Sequence, residues 1–188
     1  MNVENKKVIG ICGFSRAGKD SCSQAIELID ARYKRFALAD PLKRGAAVLT
    51  NLDTLYFHDS DTKNTPLKQL GGKTPTEFVQ LLGTEFVREV CGEGHWCRVL
   101  DSLALLEPCI VIPDIRFPNE DEYFRSRYDY MLIRVTRPSV TGEQGIIGHS
   151  SGSHVMDLPA EVDIINDGTI TQLSRQVESA TRKFMERT

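Results

Sequence analysis

The sequence of 188 residues contains no long hydrophobic run and no excess of positive charge. No apolar segment approaches the ~20 residues that a membrane-spanning helix needs, and the first residues, MNVENKK, lack the hydrophobic stretch of a signal peptide. The formal net charge is −3, whereas proteins that wrap a nucleic-acid duplex are normally basic. These absences predict a cytoplasmic protein (host cytoplasm if it is phage-encoded) that binds neither a membrane nor a nucleic-acid polymer.

The sequence also lacks the cysteine spacing of disulfide-rich and zinc-binding proteins. Its five cysteines are an odd number, and no two of them form a CxxC pair. Free thiols in the core of a protein from a reducing compartment explain this pattern better than disulfides do. His149 and His154 have no companion set of cysteines or carboxylates, so we expect no structural metal there.

Short apolar runs alternate with amphipathic segments along the whole chain. This alternation is typical of a parallel sheet with helices on both faces, so the predicted fold class is an α/β three-layer sandwich with about five strands, in one domain spanning 1–188. Residues 137–159 are rich in glycine and serine and too long for an ordinary connection, which predicts a lid. No order is predicted for 51–72. Strands are predicted at 8–12, 35–39, 109–114, 129–136 and 162–167, and helices at 19–31, 44–50, 74–90, 95–107, 118–127 and 169–188.

The segment GFSRAGK, residues 13–19, matches the phosphate-binding pattern GxxxxGK between a predicted strand and a predicted helix. Its glycines let successive backbone N–H groups point at an anion, and the helix that follows adds the partial positive charge of its N-terminus. Lys19 supplies a cation for the outer phosphates of a nucleotide. The alternative is a glycine-rich turn with a surface lysine.

Asp20 stands where most such loops carry a serine or threonine whose hydroxyl binds Mg²⁺. A carboxylate is also a hard oxygen ligand for this ion, and Ser21 follows directly. The substitution therefore favours a small-molecule kinase over a GTPase-type loop. The alternative is an ordinary acidic residue that the helix dipole favours at an N-terminus.

The segment CIVIPDIRFPNE, residues 109–120, is the second strong signal. Asp114 follows an apolar strand, as a magnesium-associated aspartate does in phosphate-loop enzymes. Ligands of parallel α/β sheets bind at the carboxyl ends of the strands, so we expect Asp114 to face the phosphate loop. Arg116 and Glu120 would complete a site for a phosphate and a sugar hydroxyl. The alternative is a surface ion pair between those two residues, which contributes little.

These segments together resemble the phage-type deoxynucleoside monophosphate kinases. The matching segments come in the order of the family and cover most of the chain. The resemblance implies a P-loop kinase fold, ATP and Mg²⁺, and a deoxynucleoside monophosphate as acceptor, and it leaves a homodimer open. The segments are GFSRAGKDS, FALADPLK, TPTEFVQLLGTEFVRE, HWCRVL, DIRFPNE, RVTRP and VDIINDGTITQL.

The resemblance also implies roles for individual residues. Those expected in catalysis are Lys19, Asp20, Arg16, Asp114 and Arg116. Those expected to bind ATP and its phosphates are Gly13, Ser15, Arg16, Ala17, Gly18, Lys19, Asp20, Ser21, Arg134 and Arg137. Those expected to bind the acceptor are Lys43, Gln80, Gly83, Thr84, Trp96, Asp114, Arg116 and Glu120. Mg²⁺, carried by ATP, would be held by Asp20, Ser21 and Asp114.

The chain departs from the family pattern at two places. Thr76 and Glu77 stand where related chains often carry a basic residue. Gly152 stands at the place of a glutamate in the lid segment, and no role is assigned to any residue from Gly142 to Asp157.

Several of these residues have simpler interpretations. Gln80 and Thr84 are neighbours on one helix face, where they could be surface polar groups. Trp96 is a candidate core residue, because tryptophan is highly buried on average. Glu85 and Arg88 are predicted to be solvated helix charges.

Two other functions stay open at the level of sequence. One is a P-loop kinase for a different small phosphorylated metabolite, of the dephospho-coenzyme A or phosphomevalonate type, which would lack a pocket that stacks a base. The other is a regulatory module that binds a nucleotide and transfers nothing. Asp20 and the second polar segment favour an enzyme over such a module.

Overall fold

The computed structural model describes residues 6–140 and 155–187. Within these ranges five strands form one parallel sheet in the order β2-β3-β1-β4-β5. The predicted α/β sandwich on a parallel sheet is confirmed. The strands are β1 (Lys7–Cys12), β2 (Tyr33–Arg35), β3 (Cys109–Ile112), β4 (Asp129–Thr136) and β5 (Val162–Ile165).

Helices cover both faces of the sheet. Helices α1 and α8 enclose one apolar cluster against the face that carries Ile9 and Ile11, and α6 and α7 enclose a second cluster against the face that carries Val8. The helices are α1 (Lys19–Ile29), α2 (Ala39–Thr50), α3 (Leu55–His58), α4 (Pro75–Gln80), α5 (Glu89–Cys91), α6 (His95–Leu103), α7 (Pro118–Arg125) and α8 (Ile170–Met185).

The central strands are apolar throughout because both faces of the sheet are covered. Alternate side chains of β1 therefore enter different clusters, although every one of them from Val8 to Cys12 is buried. A third, smaller cluster around Phe57 packs α2 and α3 against α4. In the described part of the chain, no helix is both long and apolar enough to cross a membrane.

Helix α2 begins earlier than the sequence predicted. The segment DPLK does not delay the helix, because Pro41 lies in the first turn, where the missing N–H would have no intrahelical partner. The helix therefore begins at Ala39, and Lys43 lies on it. The segment 51–72, for which no order was predicted, contains α3 and a short 3₁₀ turn at Lys68–Leu70.

The helix predicted from Thr74 begins as expected but does not remain an α-helix. The Thr74 hydroxyl accepts the N–H of Glu77, and the Glu77 carboxylate accepts the N–H of Thr74, which completes the predicted capping box. After α4 the chain forms a π-helix at Leu81–Arg88 and returns to α geometry in α5. Such π segments are rare and often occur at functional sites.

Candidate active site

A cavity of about 350 Å³ opens where β1 and β3 end, between the phosphate loop, α2, α4 and the start of α7. Its position at the carboxyl ends of parallel strands is the usual one for ligands in such sheets. The structure brings into this cavity the following residues predicted from the sequence: Gly13, Ser15, Arg16, Lys19, Asp20, Lys43, Gln80, Gly83, Thr84, Trp96, Asp114, Arg116 and Glu120.

Five predicted residues do not line the cavity. Ala17 is buried, and its carbonyl accepts a hydrogen bond from Asn166. The Arg134 guanidinium lies 2.9 Å from Asp163 and also donates to the Leu158 carbonyl, so it ties β4 to β5. The others are Gly18, which precedes α1, Ser21 on α1, and the exposed Arg137. The nucleotide-binding roles of these residues stay predictions.

Most of the predicted lid, residues 141–154, lies outside the described residues.

The phosphate loop has a backbone that few residues can adopt. Gly13 has φ +138°, and a Cβ there would lie 2.2 Å from the Val135 carbonyl oxygen, so only glycine fits. Gly18 has φ +108° and Arg16 has φ +65°, which makes Arg16 a non-glycine residue in the left-handed region. Alternation of this kind turns successive N–H groups toward one concave side and creates an anion-binding nest.

Lys19 extends back over this loop. Its Nζ donates hydrogen bonds to the carbonyls of Gly13 at 2.8 Å and Phe14 at 2.7 Å. The pKa of Lys19 is lowered to about 8, mainly by burial and next by the positive charge of Arg116. The negative charges of Asp20 and Asp114 act in the opposite direction. The ammonium is half-buried and has no ion pair with a carboxylate among residues 6–140 and 155–187, so it is well suited to receive an anionic phosphate.

Asp20 and Asp114 face different surroundings. The Asp20 side chain is 86% exposed at the rim, and its Oδ1 lies 3.3 Å from Arg35, which also lies 3.1 Å from Asp40. Asp114 accepts the N–H of Leu38 on one oxygen, at 2.8 Å, and the N–H of Ala39 on the other, at 2.9 Å. Asp114 therefore fixes the start of α2.

Glu120 lines the cavity, but its side chain is almost completely buried. One carboxylate oxygen accepts the N–H groups of Arg116 at 2.8 Å and Phe117 at 3.1 Å, and the other pairs with Arg88. Burial raises the pKa of Glu120, while Arg88 and the two N–H groups act to lower it. The carboxylate holds the loop that carries Arg116.

The prediction that Arg88 is a solvated charge is wrong. Its side chain is 10% exposed, pairs with Glu120 and stacks on Phe117, with 3.8 Å from guanidinium carbon to ring centroid. The spacing places Arg88 on the polar face with Thr84, four residues earlier, and both residues line the cavity. The error arose because Glu120, the partner that buries Arg88, lies on α7 and leaves no signal in this helix.

Trp96 and Gly83 form a polar contact within the cavity wall. The indole Nε1 donates to the Gly83 carbonyl at 3.2 Å, and the ring packs against the cluster beneath α6. A Cβ on Gly83 would lie 2.4 Å from a methyl group of Leu42, so the glycine allows α2 to approach the π segment. Trp96 is thus partly a core residue and partly cavity wall.

Lys43 carries positive charge into the same cavity, and Lys63 and Arg35 are lining residues that sequence reasoning missed. Burial lowers the pKa of Lys43, and the charges of Lys63 and Arg116 lower it further, against the effect of Asp114 and Asp40. No sequence signal marks Lys63, because it lies in the turn-rich stretch 51–72.

No family model matches the sequence. The chain is 27% identical to a protein of Acanthamoeba polyphaga mimivirus that is provisionally named deoxynucleotide monophosphate kinase, in an alignment that covers 92% of this chain and 94% of the relative. A shorter match, 38% identical over 68 residues, covers 33% of this chain and 27% of the deoxynucleoside-5'-monophosphate kinase of Escherichia phage T5.

Solved structures with the same fold include shikimate kinase from Aquifex aeolicus vf5, with a TM-score of 0.50 and 10% identity over 94% of this chain and 96% of that chain. TT1252 from Thermus thermophilus gives a TM-score of 0.52 and 15% identity over 96% and 98%. The chain has the P-loop kinase fold. The resemblance of the chain to proteins named deoxynucleoside monophosphate kinases, predicted from its sequence, is confirmed.

Proposed function

We propose that the chain transfers the terminal phosphoryl group of ATP to a deoxynucleoside 5'-monophosphate, which yields ADP and the diphosphate. One observation carries the proposal: a single cavity holds both a phosphate loop and a second set of cations. Transfer of a phosphoryl group from one phosphate to another requires two phosphate sites in the same cavity. The names of the two relatives support this choice of acceptor.

Different residues bind the donor phosphates and the acceptor phosphate, as phosphoryl transfer requires. The loop N–H groups and Lys19 hold the donor phosphates, and Lys43 and Arg116 hold the acceptor phosphate. The acceptor oxygen is already ionised, so no general base is required. Catalysis is then mainly alignment of the two groups and stabilisation of charge in a site from which water is excluded.

The opposite wall of the cavity favours an acceptor with a flat base. Leu42, Phe57, Val79 and Trp96 give this wall an apolar and aromatic surface, and Gln80 adds a buried amide. Ligand sites combine apolar walls with a few polar groups in this way. A kinase for a small acid without a base would have no use for such a wall.

The residues near the loop also fit Mg²⁺. Asp20 presents an exposed carboxylate at the rim, next to Lys19, and Ser21 follows on α1. No group of three or more potential metal ligands occurs within 6–140 and 155–187, which agrees with an ion held mainly by phosphate oxygens and water. Mg²⁺ would neutralise charge on the transferred group. Because both Asp114 oxygens cap α2, we assign the ion to Asp20 and Ser21 before Asp114.

The proposed function is tested by ADP formation from ATP with dTMP, dGMP, dCMP and dAMP, each alone. Dephospho-coenzyme A, phosphomevalonate and a reaction without acceptor are the comparisons. Turnover with one or more of the four monophosphates supports the proposal. Turnover with only the other two acceptors would assign the chain to a different P-loop kinase. ATP binding without any turnover would indicate a regulatory module.

Substitution of Asp20 by asparagine is expected to raise the Mg²⁺ concentration needed for half-maximal activity and to lower kcat. The change removes the charge but keeps the shape, and a metal-associated carboxylate acts on turnover. Asp20→Thr should retain more activity, since a hydroxyl can again meet the ion. Glu122→Gln, an exposed change on α7, is the control. A Mg²⁺ titration like the parent's, with only a small loss of melting temperature, would make Asp20 a helix-terminal carboxylate worth about 0.3–1 kcal/mol.

The KM for ATP is expected to rise with pH above about 8. The pKa of Lys19 is lowered to about 8, and bound phosphate favours the charged ammonium, so the protonated protein is the binding form. The KM should be flat below this pH and rise up to about tenfold per unit above it. Lys19→Arg should abolish the rise, because a guanidinium does not titrate in this range. A parent profile that stays flat to about pH 9.5 would contradict this assignment.

A further inference from the structure

Two hydrogen bonds to one carbonyl fix Lys63 at the edge of the cavity. The backbone N–H of Thr76 and its hydroxyl both donate to the Lys63 carbonyl, each at 2.9 Å. Thr76 lies in the first turn of α4, where backbone N–H groups have no intrahelical acceptor. The Lys63 carbonyl, in the turn-rich stretch 51–72, is therefore the acceptor for one of these N–H groups. The same hydrogen bond holds the backbone of Lys63 against the helix.

The cations at this end of the cavity have no matching carboxylates. In the described part of the chain, no Asp or Glu oxygen lies within 4.0 Å of the ammonium of Lys43 or Lys63. Asp59, four residues before Lys63, instead accepts the N–H groups of Asp61 and Thr62. Partly buried cations without counter-charge are costly, and a dianionic phosphate would offset that cost.

Lys63 belongs to the acceptor side of the cavity rather than the ATP side. The charge of Lys63 helps to lower the pKa of Lys43, whereas the charges that act most on the pKa of Lys19 are those of Arg116, Asp20 and Asp114. Its carbonyl is fixed to α4, the helix that also presents Val79 and Gln80 to the cavity. The phosphate loop lies on a different wall.

We propose that Lys63 binds the phosphate of the acceptor monophosphate together with Lys43 and Arg116, and that Thr76 is the residue that positions it. This inference rests on the proposed function and adds a binding residue to it. In this proposal Thr76, which carries no charge, acts through its hydroxyl group.

The test is Lys63→Gln, assayed with the deoxynucleoside monophosphate that the parent uses best. Loss of one charge-assisted contact should raise the KM for that monophosphate by roughly tenfold or more, while the KM for ATP stays within about twofold. Calorimetric titration should show the same loss of affinity for the monophosphate, and no change for the matching nucleoside, which has no phosphate. Lys68→Gln and Lys73→Gln, exposed lysines of the same region, are the matched controls.

Variants of Thr76 test the positioning role separately. Thr76→Val removes the hydroxyl donor and should raise the monophosphate KM by a smaller factor than Lys63→Gln. Thr76→Ser keeps the hydroxyl and removes only the methyl group, so its monophosphate KM should equal that of the parent. If Thr76 acted only through packing of its methyl group, Thr76→Ser would raise this KM as well. Thermal melts confirm that each variant is folded.

The outcomes separate the inference from the function on which it rests. An active parent with an unchanged monophosphate KM in folded Lys63→Gln overturns the inference alone. A rise confined to ATP also overturns it, since Lys63 would then belong to the donor side. A parent chain that neither binds nor phosphorylates any monophosphate overturns both proposals together.

Discussion

Replacement of Lys19 by alanine is expected to lower kcat by roughly 10²-fold or more, since oriented electrostatic groups in phosphate and acyl transfer are often worth that much. Lys19 is the lysine of the GxxxxGK pattern, and its Nζ lies over the loop, bonded to the carbonyls of Gly13 and Phe14. A phosphate that enters the loop would replace these carbonyls as the partner of the ammonium.

The effect of this substitution should fall on turnover rather than on folding. Burial lowers the pKa of Lys19, so the charged form is less favourable in the folded protein than in the unfolded chain. The melting temperature of Lys19→Ala should therefore stay close to that of the parent. Lys34→Ala, at an exposed position of β2, is the control for loss of a lysine. Parent-like kcat in the alanine variant would remove the phosphate-loop assignment.

The sequence was sufficient to predict the framework of the fold because the framework is made of local signals. Strands such as β3 and β4 are apolar for their whole length, since a parallel sheet buries them on both faces. The phosphate loop is equally local, because Gly13 and Gly18 are required by their backbone angles. The parallel sheet then follows from the regular alternation of strands and helices, whereas the strand order was not predicted.

The missing parts of the site depend on contacts between residues distant in the chain. Asp114 lines the cavity as predicted, but its carboxylate also caps the start of α2, whose residues lie more than 70 positions earlier. Lys63 lines the cavity, and its carbonyl accepts a hydrogen bond from Thr76, 13 positions later. Neither contact leaves a trace in hydrophobic periodicity or motif spacing. The single sequence therefore located both strand ends of the site but not the side chains that support them.

Arg88 shows how a distant partner alters a sequence-based assignment. Glu85 is exposed as predicted, whereas Arg88 pairs with Glu120, 32 positions later in the chain. Helix periodicity cannot indicate such a partner, because Glu120 lies on a different element. A long-range ion pair therefore replaces one of the two solvated charges that the pattern predicted.

This buried pair leads to the largest stability effect that we expect. Arg88→Met should lower the free energy of unfolding by roughly 3–5 kcal/mol at about pH 8, because it leaves the Glu120 carboxylate buried without a counter-charge. Glu120→Gln alone should also be strongly destabilising, since it leaves the Arg88 cation buried. The double variant should recover much of the loss. A neutral amide oxygen can still accept the N–H groups of Arg116 and Phe117, and no unpaired charge remains.

The pH dependence of Arg88→Met distinguishes a buried charge from a simple loss of packing. Burial already raises the pKa of Glu120 in the folded state above its unfolded value of about 4.3, and without Arg88 it should rise further. A group with a raised folded pKa contributes stability below the unfolded pKa and loses it as pH rises through the folded pKa. The penalty of Arg88→Met should therefore be small near pH 4, where folding is otherwise weakened for every variant, and should grow toward pH 8. Urea denaturation of parent, single and double variants across this range measures it. A penalty that is independent of pH, or single penalties that add in the double variant, would show that Arg88 acts through its contact with Phe117 and not through charge.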